Sequence, residues 1–180
     1  GMSPDEIAAG LPQLTGVRGR LELAARLENG APIFVDYAHT PDALEAALRG
    51  LRPNVGGRLI VLFGCGGDRD AGKRPQMGGI ASDLADVVYV SDDNPRYEDP
   101  ASIRSEILGA CPDAIEIGGR GEAIAAAIAE MQEDDLLLIA GKGHEQGQSI
   151  KERMIPFDDG ETVRRVVMAQ SHCRQERGYE

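Results

Sequence analysis

The sequence predicts an α/β protein with a doubly wound, mainly parallel sheet, and three observations carry that expectation. From residue 58 onward, short apolar runs alternate with helix-like segments, the rhythm of strand–helix–strand units. The runs "RLIVLF" and "DLLLIA" are unbroken instead of alternating, as strands are when helices cover both sheet faces. Loops rich in glycine and charge follow the runs, beyond the strands' carboxyl ends, where open α/β sheets bind ligands. The layering is Rossmann-like, with helices on both faces.

Each element has a local reason. "SPDEIAAGL" reads as a helix start, with Ser3 as cap, Pro4 at the first helical position and Glu6 completing a capping box. "LELAARLENGAPIFVDYA" reads as a hairpin turning at Asn29-Gly30. "TPDALEAALRGL" gathers Leu44, Ala47, Leu48 and Leu51 on one helical face. Strand 58–63 leads to a helix near 74–84, strand 87–91 to a helix near 101–110, and strand 114–117 to a helix at 121–132. Strand 135–140, one short strand at 148–154 and an amphipathic helix from about Asp159 to Gln170 follow. The tail "HCRQERGYE" is expected to be solvated and frayed.

Bulk composition narrows the function classes. The 180 residues suffice for one domain with an appended segment. A net charge of -11 argues against nonspecific nucleic-acid binding, which needs clustered Lys and Arg. The three cysteines, Cys65, Cys111 and Cys173, are odd in number and widely spaced, so neither a disulfide framework nor a structural zinc is expected and a reducing compartment fits. No apolar run approaches the ~20 residues of a membrane span, and no signal peptide is expected. Gly1 before Met2 reads as a cleavage remnant.

The candidate chemistry lies in the loops "DYAHTPD" (36–42), "GCGGDRDAGKR" (64–74), "SDDNPRYEDP" (91–100) and "GKGHEQG" (141–147). Gly67-x-x-x-x-Gly72-Lys73 nearly completes a phosphate-gripping P-loop, but Arg74 stands where a magnesium-binding hydroxyl is needed. Two readings remain. One is a flexible strand-to-helix turn. The other, preferred, is a receiver for a carboxylate or phosphate, with Arg69, Lys73 and Arg74 supplying charge. Asn94-Pro95 is a turn signal that would hold Arg96 rigidly at the same rim. Two arginines there suit a ligand bearing carboxylates, and Asp93 and Glu145 suit its ammonium groups. Asp36 and His39 can contact a ribose or an anion, although Thr40 capping before Pro41 explains that stretch equally well. His144 reads as a structural hydrogen-bonder and Cys65 as a buried thiol. No spacing suggests a metal site or a catalytic triad.

Taken in order, "GVRGRLE" (16–22), "VDYAHTPDALEAAL" (35–48), "FGCGGDRDAGKRPQM" (63–77), "SDDNPR" (91–96) and "AGKGHE" (140–145) resemble the C-terminal domain of the Mur ligases. These are ATP-dependent amide ligases that build the peptidoglycan stem peptide, and the resemblance covers essentially the whole chain. The "DNPR" element is similar to that of the branch that adds meso-diaminopimelate rather than L-lysine. The resemblance implies a reaction joining meso-diaminopimelate to UDP-MurNAc-L-Ala-D-Glu, with ATP and Mg2+ as cofactors and the metal held mainly by a central domain absent from this sequence. Residues 1–15 then correspond to the tail of that central domain and 16–180 to the amino-acid-binding domain. By the same resemblance, Arg69, Asp93, Asn94, Arg96, Gly141 and Glu145 match diaminopimelate-binding positions, and Arg20, Asp36 and His39 lie at the nucleotide. No residue of the fragment is expected to be catalytic in its own right, and alone it is expected to be inactive. A cytoplasmic, monomeric protein with no nucleic-acid or membrane partner is implied. Two alternatives stay open: a sibling ligase domain adding L-lysine or glutamate, and a free-standing module for anionic small molecules.

Overall fold

A computed structural model describes Ser3 and residues 16–177, with side chains through Ser171. The helix expected at the opening residues lies outside the described residues. The chain enters as a hairpin of β1 (Glu22–Arg26) and β2 (Pro32–Asp36), closed by Gly30 N–H donating to Leu27 O at 2.9 Å. Thr40 then caps α1 (Pro41–Leu51), its hydroxyl accepting from Ala43 N. The repeating part runs β3 (Leu59–Phe63), α2 (Lys73–Leu84), β4 (Val87–Val90), α3 (Pro100–Leu108), β5 (Ile115–Glu116), α4 (Arg120–Glu130) and β6 (Leu136–Ala140). A second hairpin, β7 (Gly147–Ile150) and β8 (Arg153–Pro156), precedes α5 (Asp159–Arg177).

The main sheet has the order β1-β2-β6-β3-β4-β5, with β1 antiparallel and the other strands parallel. Strand alternation explains the unbroken apolar runs. Leu59, Val61 and Phe63 join Val88, Val90, Leu136 and Leu138 in one core with α1, α2 and α3. Ile60 and Leu62 join Tyr89, Leu137 and Ile139 in the other, with α4 and the Val163 turn of α5. Each buried strand feeds two cores, so every position is apolar. Connections running from β2 out to β5 lay their helices on one face, and the return through α4 to β6 crosses the other, as right-handed crossovers require. The direction reverses between β6 and β3, which opens a crevice at their carboxyl ends.

Two expectations need correction. The single strand expected at 148–154 is a separate two-stranded hairpin. Its turn at Lys151-Glu152 lacks the Gly or Asn that usually announces one, yet Lys151 adopts φ +52°. The final helix does not end near Gln170 but runs on to Arg177 through part of the tail expected to fray.

One buried ion pair ties these layers together. Arg120, at the start of α4, donates from Nε and Nη2 to the two oxygens of Asp159, at the start of α5, at 2.8 and 2.9 Å. Both side chains are fully buried. The same Nη2 donates to Ala140 O at 2.9 Å, and Nη1 lies 3.5 Å from Ser91 Oγ. Burial alone would lower the Arg120 pKa, but Asp159 more than offsets it and the net shift is upward. Removing one partner strands a buried charge, whereas replacing both leaves none. Urea unfolding at neutral pH is therefore expected to show Arg120→Ala destabilised by about 3–5 kcal/mol and the double variant Arg120→Met/Asp159→Leu by far less.

Candidate functional site

The loops leaving β2, β3, β4 and β6 meet at one rim. The loop after β6 begins at Gly141, whose N–H donates to Asp36 O at 3.1 Å. The loop after β3 is tied to the loop after β4 by Gly67 N–H donating to Asn94 O at 2.9 Å. Lys73 Nζ reaches back to His39 O at 2.7 Å, joining the β3 and β2 loops.

Asp93, Asn94, Gly141 and Glu145 form one cluster. Asp93 is 8% exposed. Among the described residues its carboxylate has no hydrogen-bond partner, while its backbone O accepts from Gln148 Nε2 at 2.6 Å. A Cβ on Gly141 would stand 3.1 Å from Asp93 Oδ2, so the carboxylate lies directly against that glycine. Asn94 Nδ2 donates to Glu145 Oε2 at 2.9 Å, and Asn94 Oδ1 accepts from Ser149 N at 2.9 Å and Lys142 Nζ at 3.1 Å. Lys142 Nζ also lies 3.2 Å from Glu145 Oε2. Glu145 Oε1 has no protein partner among the described residues.

Arg96 borders this cluster and explains the glycines opposite it. Its Nη1 donates to Gly67 O at 2.7 Å and lies 3.4 Å from Asn94 O. A Cβ on Gly66 would come within 2.8 Å of that nitrogen. Gly66 thus clears room for a guanidinium, while a Cβ on Gly67 would come within 2.0 Å of Pro95 O. Arg96 sits at φ +52°, a conformation that a non-glycine residue adopts at a cost. The β7–β8 hairpin holds it there: Arg96 N–H donates to Ser149 O at 3.0 Å, and Lys151 N–H donates to Arg96 O at 2.7 Å. Nε and Nη2 of Arg96 remain without a hydrogen-bond partner among the described residues.

Arg69 is exposed at the tip of the β3 loop, its Nη1 on Asp68 O at 3.0 Å. Among the described residues no hydrogen bond joins it to Arg96. The two loops do touch, through Tyr97 N–H donating to Asp68 Oδ2 at 3.1 Å. Arg74 corrects the expectation that it supplies rim charge. It is 1% exposed and grips Glu98 at 2.9 Å and Glu106 at 3.1 Å. Those carboxylates lie far along the chain, so the "GKR" run gave no hint of them.

A second cluster gathers rings. The Arg20 guanidinium carbon lies 4.7 Å from the Tyr37 ring centroid, in cation–π range. Tyr37 packs against His39 at 4.5 Å and against His144 at 5.3 Å. His39 Nδ1 lies 2.9 Å from Tyr37 O. Asp36 is committed within the protein, accepting from Leu21 N and Ala38 N at 2.7 Å each. It therefore shapes this cluster through the backbone. The clusters share the β6 loop: a Cβ on Gly143 would meet Tyr37 Cβ at 2.7 Å and Gly19 O at 2.8 Å.

Sequence reasoning missed Lys142, Tyr37, Arg120 and Asp159. The apolar runs flanking them mark the strands, but the partners are non-local. Among the described residues no group of three or more His, Cys, Asp or Glu could hold a metal ion, and no helix is long and apolar enough to cross a membrane.

A family model described as "Mur ligase, glutamate ligase domain" matches residues 19–143. Over 167 residues the chain is 58% identical to the UDP-N-acetylmuramoyl-L-alanyl-D-glutamate--2,6-diaminopimelate ligase of Chelativorans sp. (strain BNC1), covering 93% of this chain and 35% of the relative. The enzyme of that name from Zymomonas mobilis is 57% identical over 164 residues, covering 89% and 34%. The chain thus spans about a third of the length of the curated relatives it matches. A solved structure of a UDP-N-acetylmuramoyl-L-alanyl-D-glutamate--2,6-diaminopimelate ligase superimposes with a TM-score of 0.81 at 40% identity, covering 95% of this chain and 36% of that one. A folylpolyglutamate synthase from Mycobacterium tuberculosis shares the fold, with a TM-score of 0.58 at 20% identity.

Cys65 begins the glycine loop but is buried against Met77, with Sγ 3.7 Å from Sδ. Burial pushes its thiol up to about 11 from 9.0. In a chain with Cys111 and Cys173 changed to Ser, iodoacetamide at pH 8 is expected to label native Cys65 about 100-fold more slowly than the urea-unfolded chain. The stability linked to this thiol is fully present below pH 9.0 and is lost as pH rises through about 11, which urea midpoints across that window would read.

Proposed function

The chain belongs to the family of Mur ligase glutamate ligase domains, and we propose that it is the amino-acid-receiving part of a longer ATP-dependent ligase that adds meso-diaminopimelate to UDP-MurNAc-L-Ala-D-Glu. The observation that carries this reading is the set of open valences at the rim. Among the described residues, Asp93 presents an unpartnered carboxylate against Gly141, Glu145 keeps one unpartnered oxygen, and Arg96 keeps two unpartnered donor nitrogens. Anion acceptors beside a guanidinium fit an amino acid carrying both ammonium and carboxylate groups. Diaminopimelate differs from lysine by one carboxylate. An arginine facing that group gains charge-assisted bonds with diaminopimelate and is left unpaired with lysine. Arg69, exposed on the adjoining loop, is assigned to the other carboxylate, and Asn94 to holding Glu145.

ATP is assigned to the ring cluster. Arg20 offers charge toward phosphates, and Tyr37, His39 and His144 offer faces and edges toward a base or ribose. Asp36 shapes that surface from behind. Magnesium, which assists phosphoryl transfer when bound, is assigned to the rest of the longer protein, because the carboxylates of this rim fit ammonium groups. In this family's chemistry, ATP converts the D-Glu γ-carboxylate to an acyl phosphate. The diaminopimelate amine then attacks that carbonyl and phosphate leaves. The share of the present residues is to bind the amino acid, fix its amine toward the acyl carbon and exclude water as the chain closes on the nucleotide. All the named side chains come from one chain, which favours a monomer, and a nucleotide-linked substrate favours a cytoplasmic reaction.

The test is calorimetry of this chain with meso-diaminopimelate and with L-lysine, and steady-state kinetics of the same substitutions in the full-length ligase. Diaminopimelate is expected to be preferred, and Arg96→Ala to weaken it about 10–100-fold, the range for charge-assisted bonds, while lysine changes little. An unchanged preference would transfer the chain to a sibling ligase adding lysine or glutamate. With all substrates supplied, the chain alone is expected to release no ADP.

A further inference from the structure

Lys142 is fully buried, yet it sits at the rim of an amino-acid site. A wholly buried lysine is rare unless paired, because removing an ammonium from water is costly. The loop around it explains how it comes to be inside. Gly141 at φ +110° and Gly143 at φ +53° flank it, and this pair of reversals turns the lysine stem beneath the loop while His144 stays exposed.

The ammonium closes a triangle between two loops. Lys142 Nζ lies 3.1 Å from Asn94 Oδ1 and 3.2 Å from Glu145 Oε2, and Asn94 Nδ2 lies 2.9 Å from the same Oε2. Lys142 and Glu145 belong to the loop after β6, whereas Asn94 belongs to the loop after β4. Both donors converge on Oε2, so Oε1 is left without a protein partner among the described residues. Asn94 Oδ1 also accepts from Ser149 N at 2.9 Å, which extends the brace to the hairpin that holds Arg96. A salt bridge with a partner 35% exposed contributes little to stability. Its geometric effect is larger, because it orders Glu145 and Asn94 before any ligand arrives, and preorganisation lowers the cost of binding.

We propose that Lys142 is a positioning residue: it presets Glu145 with one oxygen open and locks Asn94 across the two loops, so that the amine-receiving side of the site exists before the ligand does. The ligand assignment rests on the reading given under Proposed function, but the brace itself does not.

Two measurements on this chain test it. In the ligand-free chain, Lys142→Met keeps the stem and removes the ammonium. Amide hydrogen exchange at Ser149 is expected to accelerate about tenfold, the size of a lost charge-assisted bond, while Leu138 in the core is unchanged. Unaltered exchange at Ser149 would overturn the brace. Calorimetry with meso-diaminopimelate then forms a double-mutant cycle with Glu145→Gln. Lys142→Met is expected to weaken binding about tenfold in the parent and to have little further effect in the Glu145→Gln chain. Additive losses would mean that Lys142 acts only through general structure, and would sink the proposal. Should the parent chain ignore diaminopimelate while Ser149 still responds, the ligand assignment falls and the brace stands. Lys142→Gln, too short to span both loops, serves as a second variant; if both variants unfold the chain, Lys142 is a folding residue and the proposal is wrong.

Discussion

The buried contact between Arg120 and Asp159 is the constraint on which the rim depends. It draws α4 and α5 onto the sheet, and its remaining donors address Ala140 and Ser91, where β6 and β4 hand over to the loops. A pair of this kind adds little net stability compared with apolar packing. What it fixes is relative position. Asp93, Asn94 and Arg96 lie just past one of these handover points, and Gly141, Lys142 and Glu145 just past the other, so residues nearly fifty positions apart share one small volume.

Most of the sheet was legible because buried parallel strands leave a plain mark. "LIVLF" and "LLLIA" each serve two cores, and no polar residue could sit in them. Thr40 announces its helix because an N-cap is a local device. The β7–β8 hairpin was not legible. Its turn lies at Lys151-Glu152, its strands, one half-buried and one exposed, carry no strong apolar pattern, and its purpose is tertiary: it grips the backbone of Arg96.

The candidate rim was legible as a set of loops and less so in the contacts its side chains make. Asp93, Arg96, Gly141 and Glu145 do lie along one rim. Asp36, by contrast, spends both oxygens on Leu21 and Ala38, and Asn94 spends its amide on its neighbours. Arg74 and Lys142 stand in glycine-flanked basic stretches that invite a surface reading, yet both side chains turn inward. In each case the deciding carboxylate or amide comes from another loop, and no window of sequence contains both halves. The glycines at 66 and 67 look made for phosphate, but the protein's own Arg96 guanidinium fills the clearance at Gly66 and the Pro95 carbonyl fills that at Gly67.

The turn at 17–20 presses backbone to backbone on Gly143 and His144, and Arg18 is paired with Asp158 next to the buried Asp159. That turn is therefore tied both to the rim and to the start of the last helix. A torque applied at the turn meets little slack on its way to the rim. It swings both clusters together, like a door whose handle and hinge plate are cut from one sheet of metal.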